Sequence, residues 1–92
     1  MSTRIEQIQT QLAALHPIHL DIIDESHLHA GHAGAQSGGG HYRVHLVSAH
    51  FVGKNTMTRH RMVYSALAEL LKRDIHALTL RTETPEDFAL SH

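Results

Sequence analysis

The sequence contains no cysteine and no tryptophan among its 92 residues. Without cysteine, the chain cannot form a disulfide, present a thiolate to a metal ion or use a cysteine nucleophile. It also has no apolar run of about 20 residues, the length that a membrane-spanning helix needs. The first residues hold no apolar core of the kind found in signal peptides. We therefore expect a cytoplasmic protein that does not enter a membrane.

The chain also has no large excess of charge of one sign, because it contains 8 basic and 9 acidic residues and its formal net charge is −1. This balance argues against wholesale electrostatic binding of nucleic acid or anionic membrane, although it permits a local basic patch. The hydrophobic fraction of 41% is typical of a globular chain. At this length we expect a single domain over residues 1–92, with a core from about 4 to 88.

Histidine, by contrast, is abundant, with 11 residues in the chain. Neutral imidazole is a common metal ligand, and the side chain also titrates near pH 6.5. The composition therefore indicates either metal binding or a charge that varies with pH.

The N-terminal segment has the pattern of an amphipathic helix. Thr3 and Glu6 have the spacing of a capping box, and Pro17 ends the helix at or before His16. The apolar stripe at helical spacing consists of Ile5, Ile8, Leu12 and Leu15.

Three alternating runs predict strands, at residues 18–24, 41–48 and 75–81. We expect the first two to pair antiparallel. In the first run, Ile18 shares the apolar face with the residues at positions 20 and 22. In the third run, alternation places His76 on the side of Leu78 and Leu80.

A second amphipathic helix is predicted between the last two strands, capped by Asn55 or Thr56. Its wide apolar face consists of Met62, Val63, Ala66, Leu67, Leu70 and Leu71. After the third strand, Thr84 and Pro85 are typical of the start of one last helical turn.

These elements predict an α+β fold with two layers and the order αββαβ, or αββααβ if the second helix is split. The three-stranded sheet would carry the helices on one face. The opposite face is expected to stay wet and to present His19, Asp21, Arg43, His45, Thr79 and Arg81.

Residues 25–40 read ESHLHAGHAGAQSGGG, which is rich in Gly, Ala and His and has no apolar period. This composition predicts a mobile loop. His27, His29 and His32 place three imidazoles within six residues, with His41 just beyond, a set that could bind zinc, copper, nickel or iron. A solvated loop whose histidines bind nothing is the alternative interpretation.

A basic cluster lies near the start of the second helix and consists of Lys54, Arg59, His60 and Arg61. Arginine at this position can pair with a phosphate or with a carboxylate of a partner, or can simply be solvated. By contrast, the triplet Gly38-Gly39-Gly40 is not followed by the Lys-Ser/Thr of a phosphate-binding loop. No catalytic motif is present, and we do not expect an enzyme.

Several segments together resemble the BolA family: FVGK at 51–54, RHRMVY at 59–64 and IHAL at 75–78. The segment DESHLHAGHAG at 24–34 also matches. The similarity runs from about Arg4 to Phe88, nearly the whole chain, and the combination of motifs is far more specific than any one of them.

The resemblance implies an α+β fold similar to type II KH domains and a monothiol glutaredoxin as partner. It also implies a role in iron–sulfur cluster assembly, trafficking or iron regulation. The two proteins would share a [2Fe–2S] cluster, to which the glutaredoxin contributes its cysteine and a bound glutathione thiolate. The BolA-like chain would contribute His76 and a loop ligand, His29 or His32, with His27 a distant third. The isolated chain would be a monomer or weak homodimer without a tightly bound cluster.

The resemblance also implies an alternative, since some family members act as transcription regulators. In that case, the KH-like fold and the region of Lys54, Arg59 and Arg61 would contact DNA, although no G-x-x-G loop lies between Gly53 and Leu71. A mononuclear zinc or copper site in the loop is a third hypothesis.

Overall fold

The computed structural model describes residues 3–25 and 40–91. The predicted loop histidines His27, His29 and His32 lie outside the described residues.

The described chain forms four helices and three strands. They are α1 (Arg4–Leu12), β1 (His19–Asp24), β2 (Gly40–Val47), α2 (Thr56–Ala66), α3 (Ala68–Leu71), β3 (Ile75–Glu83) and α4 (Pro85–Ser91). Short 3₁₀ turns follow α1 and β2. The predicted α+β fold is confirmed, and the second helix is split at Leu67.

The sheet has the order β1-β2-β3. β1 pairs antiparallel with β2, with Leu20 opposite Leu46. β2 pairs parallel with β3, with Val44 opposite Leu80. A parallel pair needs a long crossover connection, and α2 and α3 supply it.

One face of the sheet is packed against α1, α2 and α3. The buried residues of this core are Ile8, Leu12, Tyr42, Val44, Leu46, Phe51, Val63, Leu67, Leu70 and Ile75. All of these residues except Phe51, which lies in the 3₁₀ turn after β2, fall on the predicted helix stripes or on alternate strand positions, so the two-layer arrangement is confirmed. Ile18 is an exception: it is 62% exposed and precedes β1.

The helix starts follow their predicted local chemistry. The Thr3 hydroxyl accepts from the Glu6 amide at 3.1 Å, and the Glu6 carboxylate accepts from the Thr3 amide at the same distance. The Asn55 side chain accepts from the amide of Thr58 at 2.8 Å and so caps α2. Each contact satisfies an amide that the helix itself leaves without a partner.

The prediction that the outer face of the sheet stays wet is wrong at one end, because α4 lies across that end. The Phe88 ring stacks on His19 with ring centres 4.8 Å apart and meets the edge of His45 at 5.8 Å. The His45 side chain is only 15% exposed. An aromatic ring covers this end because the chain turns back immediately after β3.

Within residues 3–25 and 40–91, no helix has the length and apolar character that crossing a membrane would require.

Candidate functional site

His76 stands on an irregularity in the pairing of β2 with β3. Gly40 lies opposite Ile75, but the next residue, His41, lies opposite Ala77, so β3 has one extra residue here. Such a bulge re-aims side chains. Ile75 is buried and His76 is exposed. The prediction that His76 shares the side of Leu78 and Leu80 is therefore wrong, since the extra residue breaks the alternation.

The exposed His76 lies beside His41, with ring centres 5.1 Å apart. Two imidazoles that bind one tetrahedral metal ion through bonds of about 2.0–2.1 Å have ring centres roughly 5 Å apart. The ring-centre distance of the His41–His76 pair is therefore close to that of two histidines that bind the same metal ion. Sequence reasoning placed His41 just beyond the loop histidines but did not pair it with His76, because that pairing depends on the strand register and on the bulge.

Glu25 and Gly40, which flank residues 26–39 in the sequence, are hydrogen-bonded close to this pair in the chain. The Glu25 amide donates to the His41 carbonyl at 2.8 Å, and the Gly40 amide donates to the Asp74 carbonyl at 3.0 Å. The predicted loop ligands His29 and His32 fall between these two residues in the sequence and outside the described residues.

No group of three or more His, Cys, Asp or Glu side chains is arranged to hold a metal in the part of the chain that the structure describes. A metal at the His41–His76 pair would therefore need further ligands beyond the side chains that the structure describes.

The predicted basic cluster divides into a structural arginine and more accessible cations. Arg59 Nε donates to the Lys54 carbonyl at 2.8 Å, and Nη1 donates to the Thr82 carbonyl at 3.3 Å. Its guanidinium also pairs with Asp87 at 3.6 Å, and its side chain is 17% exposed. Arg59 thus joins α2, β3 and α4.

Two of the other three residues of the basic cluster are more accessible. Lys54 and Arg61 are exposed, and His60 is half-buried. No acidic residue occurs from 48 to 68. This stretch therefore presents positive charge near the start of α2.

A groove of about 260 Å³ lies on the outer face of the sheet. Its cations already have partners, because Arg43 pairs with Glu25 at 3.1 Å and Arg81 pairs with Glu83 at 3.4 Å. A carboxylate beside each guanidinium offsets the positive charge that would attract an anion. The groove is therefore a weaker candidate site than the His41–His76 pair.

The described residues define a class of protein: a small α+β domain with a mixed three-stranded sheet and a histidine pair at one end. The family model described as "BolA-like protein" matches residues 12–87. The chain belongs to the BolA-like family, and the predicted resemblance is confirmed.

Named relatives agree with this assignment. The chain is 44% identical over 84 residues to the DNA-binding transcriptional regulator BolA of Escherichia coli, covering 90% of this chain and 77% of that protein. It is 40% identical over 85 residues to the chloroplastic protein BOLA1 of Arabidopsis thaliana, covering 89% of this chain and 51% of that one. The chain thus spans about half the length of the plant relative.

Solved structures share the fold. BolA1 from Arabidopsis thaliana superposes with a TM-score of 0.81 at 37% identity, covering 95% of this chain and 97% of that one. The solution structure of BolA1 from Mus musculus gives 0.78 at 37% identity, covering 98% and 72%.

Proposed function

We propose that this chain is an accessory protein that binds a monothiol glutaredoxin and shares a [2Fe–2S] cluster with it through histidine ligands. Its role would lie in iron–sulfur cluster assembly, trafficking or iron regulation. The observation that carries the proposal is the exposed His76 on the β3 bulge, with the His41 ring centred 5.1 Å away. Imidazoles at an exposed sheet edge can coordinate an iron atom of a cluster that a partner protein holds.

The donor chemistry fits such a cluster. The chain has no cysteine, so its contribution must be nitrogen, and a [2Fe–2S] iron accepts two imidazoles in Rieske centres. The partner's cysteine and a glutathione thiolate would supply the sulfur ligands. When bound, the cluster supplies one-electron chemistry at a potential that histidine ligation raises.

On this chain, His76 holds one ligand position and His29 or His32 holds the other. Each imidazole must be neutral to bind, so acid weakens the site. His41 stands beside His76 and can orient or replace the loop ligand. We further propose that the isolated chain holds no cluster tightly, catalyses no reaction and acts in the cytoplasm.

The test is a titration of the full chain into a cluster-loaded monothiol glutaredoxin with glutathione, followed by visible circular dichroism. We expect a new spectrum that saturates at one chain per cluster. His76→Ala should abolish the change, whereas His50→Ala, an exposed histidine outside the site, should leave it intact. An unchanged spectrum with the native chain contradicts the proposal, as does a normal response from His76→Ala.

The second ligand is identified with three single variants, His29→Ala, His32→Ala and His41→Ala. The variant that removes the new spectrum identifies the ligand. A variant that only shifts the half-saturation point identifies a supporting residue. If none of the three alters the spectrum, His27→Ala is tested in the same way, and histidine ligation from the loop side is rejected if that variant also has no effect.

A second candidate function is DNA binding, and the acid-free stretch with exposed Lys54 and Arg61 favours it. The name of the Escherichia coli relative agrees with this candidate. A gel shift at several salt concentrations tests it, because phosphate contacts make affinity fall steeply with salt. Lys54→Gln and Arg61→Gln should each weaken such binding without changing the cluster titration. If neither variant alters the shift, this surface does not bind DNA.

A further inference from the structure

We propose that His16 and His50 form a second, solvent-exposed site for a divalent late first-row metal ion, with Cu²⁺ bound most tightly. Their ring centres lie 5.4 Å apart and their planes are inclined by 33°. Both residues are exposed. Two imidazoles on one ion have ring centres roughly 4.5 Å apart at the right angle of a tetragonal Cu²⁺ ion and roughly 5 Å apart on a tetrahedral ion, so small side-chain rotations bring this pair onto either.

A buried hydroxyl fixes the two backbones that carry these rings. Ser48 is fully buried and donates to the carbonyl of Leu15, the residue before His16, at 2.6 Å. The same hydroxyl accepts from the His50 amide at 3.1 Å. Because the two backbones are held together in the absence of metal, little ordering is needed when an ion binds.

The other two close histidine pairs are less suitable for a new metal site, because one is covered by other side chains and the other already has a proposed role. The rings of His19 and His45 are 5.0 Å apart, but Phe88 stacks on His19 and Glu83 bonds the Nε2 atom of His45. The His41–His76 pair belongs to the proposed cluster edge. The His16–His50 pair is accessible and is covered by no aromatic ring among the described residues.

The new site lies at the opposite end of β2 from the cluster edge. His41 is near the start of that strand, and Ser48 follows its last residue. At about 3.3 Å per residue, the two ends are separated by roughly 20 Å or more. One metal ion therefore cannot serve both histidine pairs.

The expected metal follows from the donor set. No third metal-ligating side chain joins the pair within residues 3–25 and 40–91, so water completes the coordination. Neutral imidazole suits copper, nickel and zinc, and copper stands highest in the affinity order of divalent first-row ions.

The variants are chosen to spare the fold. His16 has a positive φ of 48° at the end of the N-terminal helical segment. Asparagine also adopts this left-handed backbone readily, so His16→Asn removes the ring and keeps the turn. His50→Gln removes the second ring from an exposed position.

The experiment adds Cu²⁺ in small steps to the full ¹⁵N-labelled chain and follows paramagnetic broadening of each amide signal. We expect early broadening at the amides around His16 and His50. Each of the two variants should raise the Cu²⁺ concentration needed by about tenfold or more, because the second imidazole then no longer closes the chelate.

The matched control is His41→Gln, which should leave broadening around His16 and His50 unchanged. Two results would overturn the proposal: no broadening there when Cu²⁺ is in excess over the histidines of the chain, or the same broadening in His16→Asn and His50→Gln. Unshifted signals elsewhere in the spectrum confirm that each variant is folded. Because the readout uses neither glutaredoxin nor iron, its failure is distinct from failure of the proposed function.

Discussion

The carboxylate of Glu83 accepts a hydrogen bond from His45 Nε2 at 2.5 Å, and the two side chains are only 12% and 15% exposed. An ionised carboxylate only accepts, so Nε2 carries the hydrogen. The second carboxylate oxygen accepts from the Ser91 hydroxyl at 3.2 Å. Glu83 therefore joins β2, β3 and α4 at the covered end of the outer face.

The Glu83 contacts predict a pH-dependent stability. Burial by itself raises the pKa of Glu83, but hydrogen bonds from His45 and Ser91 and the nearby Arg81 lower it below the ordinary 4.5. A group whose pKa is lower in the folded state stabilises the fold above its unfolded value. That stabilisation is lost as the pH falls through the folded value.

Glu83→Gln should therefore lower the melting temperature by several degrees above about pH 5, for a loss of about 1 kcal/mol. The difference between the native chain and the variant should shrink as the pH falls below about 4.5. Thermal unfolding followed by circular dichroism across this range provides the measurement. A difference that stays constant down to about pH 3 would show that the charge of Glu83 is not involved.

Arg59 and Arg61 are expected to differ sharply although they are two residues apart. Arg59→Ala leaves the carbonyls of Lys54 and Thr82 without their donor, so we expect a loss of about 1–3 kcal/mol in urea unfolding. The exposed Arg61→Ala should change stability by less than about 0.5 kcal/mol. Equal effects of the two substitutions would contradict the structural role of Arg59.

The same contacts determine how the DNA hypothesis can be tested. A gel shift that weakens with Arg59→Ala could reflect a loosened fold, because this guanidinium holds α2 against β3 and α4. Arg61 is the informative position, since its side chain can be removed with little effect on folding.

Gly40 admits no larger residue while Tyr42 keeps its position. A Cβ atom at residue 40 would overlap the Tyr42 ring, with the hydroxyl oxygen 2.8 Å away, and Tyr42 is buried. Gly40→Ala should thus cost about 1–3 kcal/mol in urea unfolding. The cost should fall in a Tyr42→Leu background, and an undiminished cost there would place the clash elsewhere.

Ser48 is predicted to matter for stability out of proportion to its size. Ser48→Ala removes the donor to the Leu15 carbonyl and the acceptor of the His50 amide inside the fold, at a cost of about 1–3 kcal/mol. Ser65→Ala on the exposed surface of α2 is the matched control and should be nearly neutral. Similar melting temperatures for both variants would argue against the role of the buried hydroxyl.

Local chemistry made much of the fold predictable. Thr3 and Asn55 cap helices through contacts three residues away, so a short stretch of sequence determines each helix start. The apolar stripes of α1 and α2 likewise follow from helical spacing, and they face the same sheet because a half-apolar sheet needs that cover.

The face of His76 could not be predicted in the same way. It depends on one extra residue in β3 relative to β2, and this arises from pairing between strands distant in sequence. The position of Phe88 on the outer face could not be predicted either. The seven residues of α4 are too few for an apolar period to show which side of the helix contacts the sheet. The His41–His76 pair became recognisable only once the strands were in register.

Glu25 and Gly40, which flank residues 26–39 in the sequence, are each hydrogen-bonded to a residue of the sheet or of the turn before β3. Because both flanking residues are anchored in this way, insertions or deletions between them need not shift the strand register, and the free-energy cost of a longer connection grows slowly with its length. The sequence between the two anchors can therefore change while the scaffold that presents His76 stays the same.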